Sequence, residues 1–392
     1  MATNMLAAAP PPTTDLERYR LLSTTAGVRV SPLCLGGMSF GDAWTDAMGS
    51  LPREETFALL DAFREAGGNF VDTANNYQNE QSEALLGEWM AARGNRDEMF
   101  VATKYTTSYR EWEVGKGKRS ANFSGNSKKA MVVSVNDSLR KLQTAYIDLL
   151  YVHYWDYTAG IEEVVDALHL LVEQGKVLYL GISNTPAWIV AAANTYAKAN
   201  GKTQFSVFQG RWNVLRRDLE REIIPMTRQF GMAICPWDVL GSGKFKSKAQ
   251  VEARKAEGES LRLSVDNELK FTAGMSEDQI RMSDALEKVA SEHGEDVTVQ
   301  QIALAYVRAK AHSVFPIVGG RRIEQLHDNI KALRIRLTDE QITRLEGVKE
   351  FKVGYPLDFL GDDPRESDAP NFIVAASVHL DYPRAGKPLR DN

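Results

Sequence analysis

Short apolar runs alternate along this chain with longer stretches whose apolar positions recur every three or four residues. The runs fall at 33–35, 70–71, 100–103, 147–152, 177–182, 205–208, 232–235 and 314–318. They are short, apolar and often β-branched, and most stop at glycine or a polar residue, so each predicts a buried strand. Between them, 54–66 carries Phe57, Leu60 and Phe63 on one face and predicts a helix. Further helices are predicted at 83–93, 128–142, 161–174, 219–230, 278–293, 299–309, 323–333 and 339–347. Ser127 is placed to cap one, and Pro186 opens another after the strand at 177–182.

Eight strands, each followed by a helix, predict an α/β fold, a closed (β/α)8 TIM barrel. An open, doubly wound sheet is the alternative. Two extended pieces around Thr24-Thr25-Ala26-Gly27 predict a β-hairpin ahead of the barrel. Extra helices fall toward the C-terminus, and long polar loops at 105–126 and 241–274 cover the C-terminal face. The expected division is a disordered tail (1–17), the barrel (18–350) and a Pro-rich extension packing on it (351–392).

Composition narrows the class. Apolar residues make up 43% and charged residues 25% of 392, the balance of a soluble globular protein. A net charge of −5 gives no basic field for nucleic acid or an acidic membrane. No uninterrupted apolar run is long enough to span a bilayer, and the N-terminus lacks the basic start of a signal peptide. The two cysteines, Cys34 and Cys235, sit far apart in apolar strands. That speaks against a disulfide framework or a zinc site and fits a reducing, cytoplasmic setting.

In such a barrel the chemistry lies just past the strands. Those positions hold Asp72 and Tyr77, Lys104, His153, Ser183 and Asn184, Gln209, Trp237, and the run Gly319-Gly320-Arg321-Arg322. Asp72 alone reads equally well as a turn cap. A lone Lys reads as a solvated charge and a lone His as a structural one. Together at one rim, Asp, Tyr, Lys and His form a set able to donate a proton to a carbonyl oxygen. Lys104 pairs with Asp72 and offsets its burial. It is also expected to lower the Tyr77 pKa from about 10, while His153 orients the same oxygen.

These motifs, Val-Asp-Thr-Ala-x-x-Tyr, Thr-Lys, Val-His-x-Trp-Asp, Gly-Ile-Ser-Asn and Ile-Val-Gly-Gly-Arg in that order, resemble the aldo-keto reductases over roughly 18–350. Gly-Gly-Met-Ser-Phe-Gly and Gln-Gly-Arg-Trp-Asn-Val-Leu-Arg-Arg-Asp-Leu-Glu resemble the fungal aryl-alcohol dehydrogenase and norsolorinic-acid-reductase branch. The resemblance implies NADP(H)-dependent, metal-free reduction of an aromatic aldehyde or ketone. It makes Tyr77 the proton donor, tuned by Asp72 and Lys104, with His153 positioning the carbonyl. It places Ser183, Asn184 and Gln209 on the nicotinamide carboxamide and Trp237 against the ring, with Gly37, Met38 and Asp72 nearby. Leu240, Gly241, Gly243 and Lys244 would fold over the pyrophosphate. Gly319, Arg321, Gln325 and Asn329 would meet the adenosine end.

Two departures matter. Where many relatives carry Lys-Ser, this chain has Gly-Gly-Arg-Arg, so Arg321 or Arg322 is the expected contact to the 2′-phosphate. The 105–126 loop is long and holds Tyr105, Tyr109, Trp112 and Phe123. These either pack the loop down or form an aromatic substrate wall, to which Tyr105 and Trp112 are assigned beside Tyr77 and His153. A cofactor-binding regulatory subunit, resembling potassium-channel β subunits, is the alternative function. Gly241-Ser-Gly-Lys244 looks like part of a phosphate-binding P-loop but lacks its first glycine and its Ser or Thr. The oligomeric state is left open by the sequence.

Overall fold

A computed structural model describes residues 7–115, 118–247, 249–252, 264–265, 271–272, 274–361, 363 and 371–379. The hairpin β1 (Arg20–Ser23) and β2 (Ala26–Val30) comes first. Then come β3 (Cys34–Gly36), β4 (Phe70–Asp72), β5 (Phe100–Tyr105), β6 (Ile147–Val152), β7 (Val177–Ser183), β8 (Phe205–Arg211) and β9 (Ala233–Trp237). A small antiparallel pair, β10 (Ser264–Val265) and β11 (Phe271–Thr272), interrupts the long loop, and β12 (Ile317–Val318) is last. The eight-stranded sheet runs β12-β3-β4-β5-β6-β7-β8-β9, and every neighbouring pair is parallel.

The sheet closes through backbone bonds from Ile234 N to Ser313 O (3.0 Å) and from Phe315 N to Ile234 O (2.9 Å). The expected strand over 314–318 is thereby split. Val314 bridges β9, whereas Ile317–Val318 pairs with β3. Pro316 between them has no N–H to donate to a ladder. Proline also divides the helix expected at 219–230. A 3₁₀ turn, Asp218–Glu220, precedes the helix Ile223–Gln229, because Pro225 leaves no room for a helical carbonyl four residues before it. Ser127 caps the helix Lys128–Lys141 by accepting from Ala130 N, as its position predicts.

Side-chain alternation sorts the core into two layers. Cys34, Phe70, Phe100, Ala102, Leu149, Tyr151, Val207, Cys235 and Phe315 fill the barrel interior. Leu22, Ala26 and Val30 of the hairpin join this cluster, so the hairpin plugs the end opposite the site. Val71, Val101, Leu150, Ile182 and Phe208 face the helices instead. Both cysteines are buried free thiols. Among the described residues, no helix is long and apolar enough to cross a membrane.

The end of the segment expected as a tail, 1–17, is docked, because Leu16 is fully buried in the outer core. Thr14 Oγ1 donates to Ala66 O at 2.6 Å, and Asp15 pairs with Arg334 at 2.6 Å. A single large apolar side chain ordering a polar strap is invisible to a composition argument. Residues 1–6 lie outside the described set. In the C-terminal extension, Phe351 lies under Arg217 and Arg221, and Arg221 donates to Lys352 O. The short helices Leu357–Leu360 and Phe372–Ala375 meet through Phe359 and Phe372.

Candidate active site

β4 delivers Asp72 and β5 delivers Lys104, both on the interior face and both buried. The two form a direct ion pair. Lys104 Nζ also donates to Thr73 O at 2.7 Å and lies 3.5 Å from the Tyr77 hydroxyl. The other Asp72 oxygen accepts from Gln209 Nε2 at 2.9 Å. A buried carboxylate costs several kcal/mol unless compensated, about 3–5 kcal/mol when one partner is lost, and here both oxygens are engaged. The turn from β4 is tight. Gly37 N donates to Asp72 O at 2.7 Å, and a Cβ at Gly37 would stand 3.1 Å from that oxygen. A side chain there would need that oxygen and the Phe40 ring to give by a few tenths of an ångström.

Desolvation pushes the Tyr77 phenol up to about 12, with Asp72 adding to the rise, against the pull of the Lys104 ammonium. The expected lowering is therefore corrected. Lys104 opposes the burial of the phenol without overcoming it. Desolvation pulls Lys104 down, but Asp72 and Tyr77 outweigh it, and its pKa lies above the ordinary value. His153 sits at the end of β6 with its ring edge-on to Tyr77, the centroids 5.9 Å apart. Burial, then the nearby Lys104 charge, holds it well below the usual imidazole range. It is neutral at pH 7, with Thr107 Oγ1 3.3 Å from Nδ1. A neutral imidazole beside a protonated phenol can hold one carbonyl oxygen and donate a proton to it.

The residues assigned to a cofactor line the rim beyond this centre. Asn184, at φ 46°, bonds Ser183 Oγ (2.9 Å) and His153 O (3.1 Å). Met38 is half-buried, and its carbonyl accepts from Gln78 Nε2. Trp237 ends β9 with the Arg211 guanidinium over its ring, 5.6 Å from the centroid. The loop after it turns through positive φ at Asp238, Gly241, Ser242 and Gly243, and Leu240 N-caps its short 3₁₀ turn. Ser242 Oγ donates to Asp238 Oδ1 at 2.6 Å. Lys244 is buried and donates to Gly274 O at 2.8 Å, with desolvation lowering its pKa. A cavity of about 770 Å³ borders this loop, lined in part by Arg211, Arg216, Gly241, Ser242 and Phe245. Past β12, Gly319 has nothing within 4 Å of a Cβ position. Gln325 accepts from Arg321 N at 3.2 Å, and Asn329 is buried. Arg321 and Arg322 are exposed at the start of the helix Ile323–Lys331. The donor set suits a phosphorylated dinucleotide. It combines an indole and side-chain amides at the ends of neighbouring strands, an open glycine backbone, and two guanidinium groups at a helix N-terminus.

The four aromatics of the 105–126 loop do not stand together as one exposed wall. Tyr105 is 1% exposed and belongs to the outer core, because it follows the inward-facing Lys104 and must point the other way. Tyr109 donates to Asp137 at 2.6 Å and packs edge-on against Phe123, so both pin the loop down. Of the four loop aromatics, only Trp112 is exposed, at 56%, with Nε1 bonded to Glu80. Two aromatics that the sequence reading missed stand beside Tyr77 and His153. Trp44 meets the Tyr77 ring edge-on at 6.3 Å, and Tyr154 stacks on His153 at 4.5 Å and is 47% exposed. Tyr154 was findable as the neighbour of His153. Trp44 needed the return path of the loop after β3.

Barrel, buried Asp–Lys pair, phenol and imidazole together define a class, and the chain belongs to the aldo/keto reductase family, whose model matches residues 32–350. It is 58% identical over 382 residues to a Saccharomyces cerevisiae protein provisionally named an aryl-alcohol dehydrogenase, covering 97% of this chain and 99% of that one. It is 49% identical to the aryl-alcohol dehydrogenase [NADP(+)] of Phanerodontia chrysosporium, with 99% of each chain covered. It is 47% identical to the norsolorinic acid reductase of Aspergillus flavus, covering 93% of this chain and 89% of that protein.

Proposed function

We propose that this protein is an NADP(H)-dependent oxidoreductase that reduces an aromatic aldehyde or ketone to its alcohol, reversibly, with Tyr77 as the proton donor. The observation that carries this reading is the chain Asp72–Lys104–Tyr77 with neutral His153 beside it. When bound, the cofactor supplies the hydride. Ser183, Asn184 and Gln209 hold the carboxamide end, and Trp237 gives the ring a flat apolar face. Arg321 or Arg322 holds the 2′-phosphate, which favours NADPH over NADH. The name of the P. chrysosporium relative supports the same cofactor.

The substrate oxygen lies between the Tyr77 hydroxyl and the His153 ring. His153, uncharged, fixes the oxygen without competing as an acid. Tyr77 gives its proton to the oxygen as negative charge builds there. Lys104 stabilises the phenolate left behind, and Asp72 keeps the Lys104 charge in place. In the oxidative direction the same phenolate takes the proton back. Trp44 and Tyr154 provide aromatic faces for a flat substrate. The relative named for norsolorinic acid reduction extends the candidate substrates to ketones of fused aromatic rings.

The purified protein is expected to oxidise NADPH in the presence of substituted benzaldehydes, and Tyr77→Phe to abolish it. Retention of turnover in Tyr77→Phe excludes this mechanism. Tight NADPH binding without turnover, across carbonyls from benzaldehydes to anthraquinone-type ketones, would instead indicate a cofactor-binding regulatory subunit.

A further inference from the structure

The three residues after Tyr77 are all in left-handed backbone, with φ of 51° at Gln78, 50° at Asn79 and 76° at Glu80. None is glycine, and consecutive left-handed residues with side chains persist only where surrounding contacts over-determine them. Those contacts run to both sides of the site. Gln78 is buried, accepts from Trp44 N at 2.7 Å and donates to Met38 O at 3.0 Å. Asn79 Oδ1 accepts from the Trp44 indole N–H at 2.9 Å. Glu80 turns the other way. One oxygen takes Lys141 Nζ at 3.0 Å and the other takes the Trp112 indole N–H at 3.1 Å. Lys141 also donates to Asn75 O at 3.2 Å, within the turn that carries Tyr77.

We propose that the strained run Gln78–Asn79–Glu80 is a specificity-determining frame, which holds Trp44 against Tyr77 and ties the Trp112 loop to the same turn. Asn79 and Glu80 act through the two indoles and are positioning residues. Each indole donates its one N–H to this run, so the ring planes are fixed relative to the phenol instead of rotating freely. The frame fits a flat aromatic substrate, which needs a wall at a set distance. A small aliphatic carbonyl gains nothing from it. This inference rests on the aromatic-carbonyl reading above and deepens it.

The test compares a bicyclic aromatic aldehyde, 2-naphthaldehyde, with butanal in NADPH-dependent reduction. Asn79→Ala removes the acceptor for Trp44, and Trp44→Phe removes the donor while leaving an aromatic ring and the backbone strain untouched. Each is expected to raise KM for 2-naphthaldehyde about five- to ten-fold, the worth of one ordinary hydrogen bond. For Asn79→Ala, kcat on both substrates and KM for butanal stay within about two-fold, because the phenol and its tuning are untouched. The double variant is expected to lose no more than either single one, because both remove the same bond. Glu80→Gln, which keeps an acceptor for Trp112 but loses one of the two carboxylates on Lys141 (Glu83, at 2.7 Å, remains), should give a smaller rise in the same direction. An unchanged KM for 2-naphthaldehyde in Asn79→Ala, or an equal loss of kcat on both aldehydes, overturns the proposal. A second measurement separates its failure from failure of the assigned reaction. With ¹⁵N-labelled tryptophan, the Trp44 indole N–H should be slow to exchange in the parent and fast in Asn79→Ala. If no aryl aldehyde is turned over but this protection is present, the reaction assignment fails and takes the specificity role with it, while the hold of Asn79 on Trp44 stands. A fast-exchanging Trp44 N–H in the parent overturns the frame.

Discussion

Gln209 Nε2 donates to Asp72 Oδ2 at 2.9 Å, across the barrel interior from β8 to β4. A carboxylate accepts only, so the amide nitrogen must face it, and Gln209 Oε1 is the atom left to receive a donor from a ligand. In the proposed function one residue thus serves the proton-donating centre and the cofactor edge at once. Gln209→Leu should leave Asp72 Oδ2 without its partner and lower stability by about 1–3 kcal/mol, the cost of stranding a buried charged acceptor. It should also weaken NADPH binding. Urea unfolding of the ligand-free protein reads the first effect and fluorescence titration with NADPH reads the second. A loss of affinity at unchanged stability would mean that the bond to Asp72 is dispensable.

The Tyr77 phenol is pushed up to about 12 by burial, even with an ammonium 3.5 Å away. Ultraviolet titration of the cofactor-free protein, taken as the difference from Tyr77→Phe, should therefore show a tyrosine ionising well above pH 10. Lys104→Met should push it higher still. That variant also leaves Asp72 uncompensated, so it should lose about 3–5 kcal/mol of stability and at least about 100-fold in kcat, the range for a disabled proton donor. A Tyr77 transition below pH 10 would show that the Lys104 charge outweighs desolvation after all.

The order of the elements and the Asp72, Tyr77, Lys104 and His153 set were legible because each is written locally. A short apolar run ends and a polar side chain follows it. The parts that were not legible depend on facing and on loop paths. Tyr105 looks like a rim aromatic in the sequence, yet the strand continues through Lys104, and the two-residue period turns Tyr105 into the outer core. Trp44 and Asn79 lie far apart along the chain, and no periodicity brings an irregular loop back onto a turn. The sign of the Tyr77 shift was missed for a different reason. Proximity of a charge can be guessed from strand ends, but the depth of burial that competes with it cannot. Leu16 shows the converse, since one leucine in a polar segment docks where composition implies disorder.

His153 is held well below the usual imidazole range, by burial first and by the Lys104 charge second. Its folded-state pKa lies under the unfolded value of about 6.5, so below that pH the unfolded chain takes up a proton that the native state refuses. Its contribution is therefore fully present above about pH 6.5 and is lost progressively as pH falls below it. Stability by urea denaturation should drop between pH 7.5 and pH 5.5 (~1.4 kcal/mol for each pH unit over which the unfolded His is charged and the native one is not). His153→Asn, which cannot titrate, should show a shallower drop over the same interval. Equal slopes for the two proteins would place the His153 pKa near its ordinary value.

Tyr154 stacks on the His153 ring at 4.5 Å with nearly half its surface open, whereas Tyr105 is closed off among outer-core side chains. The two tyrosines should separate cleanly in kinetics and stability. Tyr154→Ala removes an aromatic face beside the proposed carbonyl position and should raise KM for an aromatic aldehyde by about five- to ten-fold, equivalent to roughly 1–1.4 kcal/mol of ring contact. Its stability should change by less than about 1 kcal/mol, because a half-exposed ring contributes little to the core. Tyr105→Ala should do the opposite, lowering stability by about 3–5 kcal/mol as a large buried ring is cut away. At a temperature where the variant remains folded, its KM should match the parent's. Thermal unfolding and steady-state kinetics on the same preparations distinguish the two. A raised KM in Tyr105→Ala with unchanged stability would return the substrate wall to the 105–126 loop.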